Sequence, residues 1–165
     1  MLRGTTGIGR VQPRRIPPLS EKTRLSRSLT SGWRWDVRPR GQVGGPEGRN
    51  VITKIENGCV VHERWTTPAG SGQSYNIWDA TRSKWFQYWV DAGGGVHEYN
   101  GWFRDGSMRY DGSMPAGGAA DGRVAFRVTF TPQGPDGMRQ LGERLQGDGT
   151  WVTAYDLIYE RVITP

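Results

Sequence analysis

Residues 50–66 read NVITKIENGCVVHERWT, two β-rich runs on either side of Asn57-Gly58. An Asn-Gly pair between alternating runs is the strongest short-range signal for a β-hairpin, because both residues of the tight turn need a positive φ. Residues equidistant from this pair then lie opposite each other. Because successive strand residues point to opposite faces, one face carries Ile52, Val61, Glu63 and Trp65, and the other Val51, Thr53, His62 and Arg64.

The chain from Trp33 onward repeats this pattern of short β-rich runs separated by turn signals. Asp-Gly pairs mark several of the connecting turns, and residues 114–122 are expected to form a flexible connection. No segment shows a helical apolar stripe. The pattern predicts strands at 32–37, 50–56, 59–66, 73–79, 84–91, 95–103, 106–111, 123–131, 137–145 and 150–162.

Sequential antiparallel strands joined by short turns predict a meander. A meander of this length hides its edge strands best by closing on itself. The sequence therefore predicts a single all-β, antiparallel up-and-down β-barrel of about 8–10 strands, wide enough for one small ligand. A β-sandwich is the alternative, but it needs longer crossover connections than the sequence offers.

At 165 residues the chain is short enough for one domain, and its net charge of +6 is unevenly distributed. Residues 1–28 hold seven of the 22 Lys and Arg residues and one of the 16 acidic residues, so the other residues are neutral overall. We expect residues 1–31 to form a basic, disordered N-terminal extension and residues 32–165 the barrel. An organellar targeting segment and a nucleic-acid or lipid contact are the alternatives for the extension.

The composition limits the possible chemistry. One Cys and two His make a dedicated metal site improbable, so we expect no metal and no cofactor. Cys59 is expected to be a small apolar residue, and the Gly93–Gly95 run opens no helix that could hold a phosphate. No apolar run is long enough to span a membrane as a helix. We expect a cytoplasmic protein without a specific nucleic-acid partner, as a monomer or a homodimer.

Candidate pocket residues follow from strand alternation. An inward Glu63 needs a partner, because an unpaired buried carboxylate costs several kcal/mol. In the next hairpin both faces are rich in aromatic residues, so alternation leaves the interior face open. The face with Trp, Asn and Gln is taken as the interior, since pockets combine flat apolar walls with a few polar groups. Later in the chain Phe126, Val128 and Phe130 share a face, and Arg127, Thr129, Arg139 and Glu143 form an outward charged cluster. The predicted ligand-binding residues are Trp65, Asn76, Trp85, Gln87, Trp89, Gln140 and Tyr155.

The run from Asn50 to Trp65, together with the segments SYNIWD (74–79), KWFQYWVD (84–91) and YER (159–161), resembles a bacterial domain-of-unknown-function family with a lipocalin-like (calycin) β-barrel. The resemblance covers about residues 32–162 and implies a barrel with an interior pocket. It also argues against haem, because haem-binding relatives use a late histidine and residues 98–165 contain none. Two features depart from the family: the basic segment before the first strand, and Gly142 where a large aromatic residue is expected.

Two functions follow, and a third rests on the basic extension. The first is binding of a small apolar or aromatic molecule inside the barrel. The second is cofactor-independent catalysis, as in cyclases or isomerases of secondary metabolism, with Glu63 as the candidate acid or base and Asp91 as a second candidate. The third is an interaction protein that binds through its N-terminal extension. The sequence leaves open whether the protein is an enzyme.

Overall fold

A computed structural model describes residues 33–45, 47–116 and 122–163. These residues form ten β-strands and one short 3-10 turn at Glu56–Gly58. The predicted basic extension lies outside the described residues. The strands are β1 (Trp33–Pro39), β2 (Gly48–Ile55), β3 (Val60–Thr67), β4 (Gly70–Asp79), β5 (Lys84–Asp91), β6 (Val96–Arg104), β7 (Ser107–Pro115), β8 (Arg123–Pro132), β9 (Gly137–Leu145) and β10 (Trp151–Arg161).

Each strand pairs antiparallel with the next, and β1 pairs with β10, so the sheet closes into a barrel. This confirms the predicted up-and-down barrel and excludes the sandwich. No helix in the described part of the chain has the length and apolar character needed to cross a membrane.

The β2–β3 hairpin confirms the register predicted from Asn57-Gly58. Asn57 has a φ of 54° and Gly58 a φ of 83°, and the Cys59 amide donates to the Glu56 carbonyl at 3.0 Å. Ile52 therefore lies opposite Glu63, and both side chains are buried. Because a slip of one residue would exchange the two faces of the hairpin, this turn places Glu63 inside the barrel.

Two strands, β4 and β7, extend at one end three or four residues beyond the predicted bounds. β4 begins at Gly70 rather than at residue 73, and β7 continues to Pro115 rather than ending at residue 111. Met114 pairs with Val124 of β8, so the start of the segment expected to be flexible belongs to the sheet. In both cases the neighbouring strand supplies backbone partners that a local reading of Gly, Ser and Pro does not reveal.

The two ends of the barrel differ. At the end where β1 begins and β10 finishes, apolar side chains fill the interior, and the Arg161 guanidinium stacks over Trp33 with Cζ 3.8 Å from the ring centre. We call this the closed end. Its buried apolar residues include Trp35, Ile52, Val61, Trp85, Met108, Phe130 and Met138. Toward the opposite end the interior is not filled, and that half contains the candidate site.

Candidate functional site

A cavity of about 640 Å³ occupies the open half of the barrel. Such a volume is typical of pockets that enclose one small organic molecule. Its walls are mainly aromatic and aliphatic, and polar groups are few. The apolar side chains that line it include Trp65, Trp89, Tyr99, Met114, Phe126, Val128, Tyr155 and Leu157.

Glu63 lies at the inner end of this cavity and is 7 % exposed. The Ser74 hydroxyl donates to its Oε2 at 2.7 Å, and Asn50 Nδ2 donates to its Oε1. The partner that an inward carboxyl requires is therefore a pair of neutral donors from β2 and β4. No Lys or Arg of the described residues forms an ion pair with this carboxyl.

The environment of Glu63 favours its neutral form. Burial raises the pKa of this carboxyl above its ordinary value, and the hydrogen bonds from Ser74 and Asn50 offset only part of that effect. A carboxyl with a raised pKa can hold a proton closer to neutral pH than an exposed one. Glu63 therefore has the property that a general acid or base needs.

The hydrogen bonds continue from Glu63 along β4 to β5. Asn76 Nδ2 donates to Ser74 Oγ at 3.0 Å, and Gln87 Nε2 donates to Asn76 Oδ1 at 2.9 Å. Of these two amides only Gln87 lines the cavity, and Asn76, its partner on β4, does not. Asn76 thus holds the Gln87 amide in one orientation.

A second polar group lies on the other side of the barrel, on β9 and β10. The Tyr159 hydroxyl donates to Gln140 Oε1, and Gln140 Nε2 donates to the Tyr155 hydroxyl at 3.2 Å. Burial raises the pKa of both tyrosines well above the ordinary value, so both hydroxyls keep their protons. The Asn50 amide, which bonds Glu63, also interacts with the Tyr159 hydroxyl. We call the connected residues Asn50, Glu63, Ser74, Asn76, Gln87, Gln140, Tyr155 and Tyr159 the polar belt.

An aromatic ring near the opening rests on a glycine. A Cβ built at Gly72 of β4 would come within 2.2 Å of the Trp89 ring, so the indole lies directly over this backbone. Trp89 also meets Trp65 edge to face, with ring centres 6.0 Å apart. The missing side chain at Gly72 lets Trp89 lie against the wall instead of filling the cavity.

Of the residues that sequence reasoning predicts for the site, the structure brings together six around the cavity: Glu63, Trp65, Gln87, Trp89, Gln140 and Tyr155. Trp85 packs against Trp78 in the closed end, with ring centres 5.6 Å apart. It lies two residues before Gln87 on β5 and is therefore closer to the closed end than the cavity reaches. Asp91 lies at the rim, where its Oδ1 accepts the amides of Gly93 and Gly95 at 2.8 and 3.0 Å. It is not among the cavity-lining residues.

The sequence reading did not predict three members of the polar belt as site residues: Asn50, Ser74 and Tyr159. Asn50 lies two residues before Ile52, on the same inward face of β2, and is fully buried. Strand alternation could have identified Asn50, but nothing local indicates that Tyr159 meets Gln140 across the β9–β10 pair.

The two histidines and the cysteine do not form a common site: His62 is on β3, His97 on β6, and Cys59 follows the turn before β3. His62 is outward and bonds Gln73 Oε1 at 2.9 Å, whereas His97 Nδ1 lies 3.1 Å from the Tyr99 hydroxyl at the cavity rim. Burial lowers the pKa of His97, which favours its neutral form. Within the described ranges no three His, Cys, Asp or Glu residues are grouped as metal ligands.

A scan against protein-family models gives no match, and a search of the curated proteins gives none either. The interpretation of the cavity therefore depends on its own geometry and chemistry.

Proposed function

We propose that this protein binds a small apolar or aromatic molecule in the interior of its β-barrel. The observation that carries the proposal is the cavity of about 640 Å³. Aromatic side chains line it, and a few oriented amides and hydroxyls lie at its border. A core without a ligand role would gain more from being filled, since packed interiors reach crystal-like density. The closed end of the same barrel is filled in this way.

Native mass spectrometry of the protein purified from its own host provides the first test. We expect a bound small molecule that organic extraction releases. Titration with N-phenyl-1-naphthylamine, an uncharged fluorescent probe, then measures the cavity directly. Binding is expected to enhance the probe's fluorescence and to quench Trp65 and Trp89 by energy transfer.

A pair of neighbouring substitutions supplies the control. Ala154 and its neighbour Thr153 are both exposed, but only Ala154 lines the cavity. Ala154→Trp is expected to fill the opening and weaken probe binding by on the order of tenfold or more. Thr153→Trp adds the same side chain outside and is expected to leave binding unchanged. Equal binding by both variants would contradict a ligand site in the barrel.

A cofactor-independent enzyme is the second candidate, and one observation favours it. Glu63 combines a raised pKa with a position at the inner end of the cavity, where it could exchange a proton with a bound molecule. Cyclisation and isomerisation need no more than such a group and a shaped cavity. Glu63→Gln is expected to abolish turnover of the co-purified molecule while leaving its affinity nearly unchanged, and an active variant would contradict this role.

The proposal extends to the family. We propose that the chain is related to the bacterial calycin-like family, because a closed antiparallel meander is the fold that the resemblance implies. The cytoplasmic location, the monomeric or dimeric state and the role of residues 1–31 stay predictions from the sequence.

A further inference from the structure

One hydrogen-bond acceptor of the polar belt is left open toward the cavity. Gln87 is 5 % exposed and lines the cavity, and its Nε2 is engaged with Asn76. Among the described residues no group donates a hydrogen bond to its Oε1, and this oxygen is not fully enclosed by the protein. The oxygen is therefore accessible from the cavity and can accept a hydrogen bond from a bound molecule.

One donor is also left open. The Tyr155 hydroxyl accepts the Gln140 amide, and its own proton has no acceptor within the described part of the chain. Because burial raises its pKa, this hydroxyl stays protonated over the whole physiological range. Tyr155 lines the cavity as well, so its hydroxyl can donate to a bound molecule.

These two groups belong to strands on opposite sides of the barrel. Gln87 is on β5 and Tyr155 on β10, and in the closed order of ten strands these strands are five apart in either direction. Strands so placed form opposite walls of the barrel. Aromatic rings from Trp65, Trp89 and Phe126 border the space between them. The acceptor and the donor are thus held at opposite edges of an aromatic-walled space.

The charges around the cavity disfavour an anionic ligand. Arg38 is the one Lys or Arg among the described residues that line the cavity, and its guanidinium binds Glu160 at 2.5 Å. Burial lowers the pKa of His97 and so favours its neutral form. The inner end of the cavity holds a carboxyl group, that of Glu63. A carboxylate that entered as far as Glu63 would lose its water beside another carboxyl and without a Lys or Arg at that depth of the cavity lining, which is costly in a low-dielectric interior.

We propose that the ligand is an uncharged, planar aromatic molecule that donates a hydrogen bond to Gln87 Oε1 from one edge and accepts one from the Tyr155 hydroxyl at the other. Phenols that carry a carbonyl oxygen at the far end of a fused ring belong to this class. The inference rests on the proposed function, because it names the chemistry of the molecule in that cavity.

A matched set of four probes tests it at pH 6 by isothermal titration calorimetry. The first, 7-hydroxycoumarin, is uncharged at this pH and carries both groups at opposite edges. Next, 7-methoxycoumarin lacks the donor, 2-naphthol lacks the carbonyl acceptor, and coumarin-3-carboxylate is an anion. We expect each neutral partner to bind about tenfold more weakly than 7-hydroxycoumarin, the usual effect of one hydrogen bond. The anion is expected to bind on the order of 100-fold more weakly.

Two variants assign each hydrogen bond to its residue. Gln87→Met is expected to weaken 7-hydroxycoumarin about tenfold but to leave 7-methoxycoumarin unchanged, because the latter makes no bond to Gln87. Tyr155→Phe is expected to weaken 7-hydroxycoumarin similarly and to leave 2-naphthol unchanged. Tyr75→Phe, on the outer surface, is the control and should change no affinity. Circular dichroism confirms that each variant is folded, and the wild-type comparison of the probes requires no variant.

The outcomes separate the two proposals. If the three neutral probes bind wild-type protein equally, the cavity binds aromatic molecules but the paired hydrogen bonds are wrong. Tight binding of coumarin-3-carboxylate would likewise overturn this inference and leave the proposed function standing. If neither N-phenyl-1-naphthylamine nor any probe binds, both proposals fail together.

Discussion

The Tyr155 ring lies directly over the backbone of Gly142, its partner on the neighbouring strand β9. A Cβ built at Gly142 would come within 2.3 Å of Tyr155 Cζ. The family resemblance implies a large aromatic residue at position 142, and in this chain the aromatic ring above that position comes from β10 instead. The glycine keeps the Tyr155 ring against the wall, where its hydroxyl meets Gln140.

Gly142→Ala tests this contact. The new methyl group must push the Tyr155 ring into the cavity, which strains a packed wall and breaks the bond to Gln140. We expect the free energy of unfolding to fall by about 1–3 kcal/mol in urea titrations and binding of N-phenyl-1-naphthylamine to weaken. Gly70→Ala is the matched strand control, because a Cβ there meets nothing within 4 Å. Equal effects of both substitutions would contradict the contact.

The pH dependence of stability tests the buried state of Glu63. Burial raises its pKa in the folded protein, so above about pH 4.5 the folded state holds a proton that the unfolded chain has lost. The stabilisation that the protonated Glu63 provides is fully present below the pKa of this group in the unfolded chain. It is lost as pH rises through the raised pKa of the folded protein. Wild type should therefore lose up to about 1.4 kcal/mol per pH unit relative to Glu63→Gln.

Urea unfolding of the two proteins from pH 4 to pH 9 measures that difference. Glu98→Gln is the control, since Glu98 is exposed on β6, and we expect its effect to stay within about 0.5 kcal/mol at every pH. A stability difference between wild type and Glu63→Gln that does not vary with pH would show that Glu63 is not buried as described.

The outward pair Arg139–Asp156 should act in the opposite direction. Arg139 donates to both oxygens of Asp156, at 2.7 and 2.8 Å, and this contact lowers the pKa of the carboxyl. Its stabilisation is present above the unfolded pKa and disappears as pH falls through the lowered one. Asp156→Asn is expected to cost about 1 kcal/mol at pH 7 and progressively less as pH falls toward 2.

The more exposed pair Arg38–Glu160 provides the comparison. Glu160→Gln should cost no more than about 0.5 kcal/mol at pH 7, because solvent screens the interaction. Thermal unfolding across the acid range distinguishes the two pairs. A cost for Asp156→Asn that does not decrease between pH 7 and pH 2 would assign the effect to packing rather than to the ion pair.

Two tryptophans of the same strand should behave differently when they are truncated. Trp85 is 4 % exposed and packs in the filled closed end, so Trp85→Ala should cost about 3–5 kcal/mol. Trp89 borders the cavity, so Trp89→Ala should cost less than about 2 kcal/mol and instead weaken probe binding. Urea unfolding and fluorescence titration measure both quantities, and a larger stability loss for Trp89→Ala would contradict the position of the cavity.

Local signals account for most of what the sequence predicts correctly. Asn57-Gly58 determines one hairpin register, and that register with strand alternation places Glu63 inside. Alternation sorts β4 and β5 into two faces but leaves the interior one open, since both are rich in aromatic residues. The choice of the face with Asn and Gln as interior rests on pocket chemistry, and the structure has Gln87 buried and Tyr88 exposed. Alternation cannot tell how deep a side chain lies, and for that reason Trp85 and Trp89 look equivalent in the sequence.

The sequence by itself determined the all-β meander, the hairpin register and the inward position of Glu63, because turn residues and two-residue periodicity act over short distances. Only the tertiary structure decided which end of the barrel is filled and which groups complete the polar belt. Closure of β1 onto β10 brings Asn50 close to Tyr159, and pairing of β9 with β10 sets Tyr155 over Gly142. These relationships join residues far apart in the chain, so no local pattern encodes them.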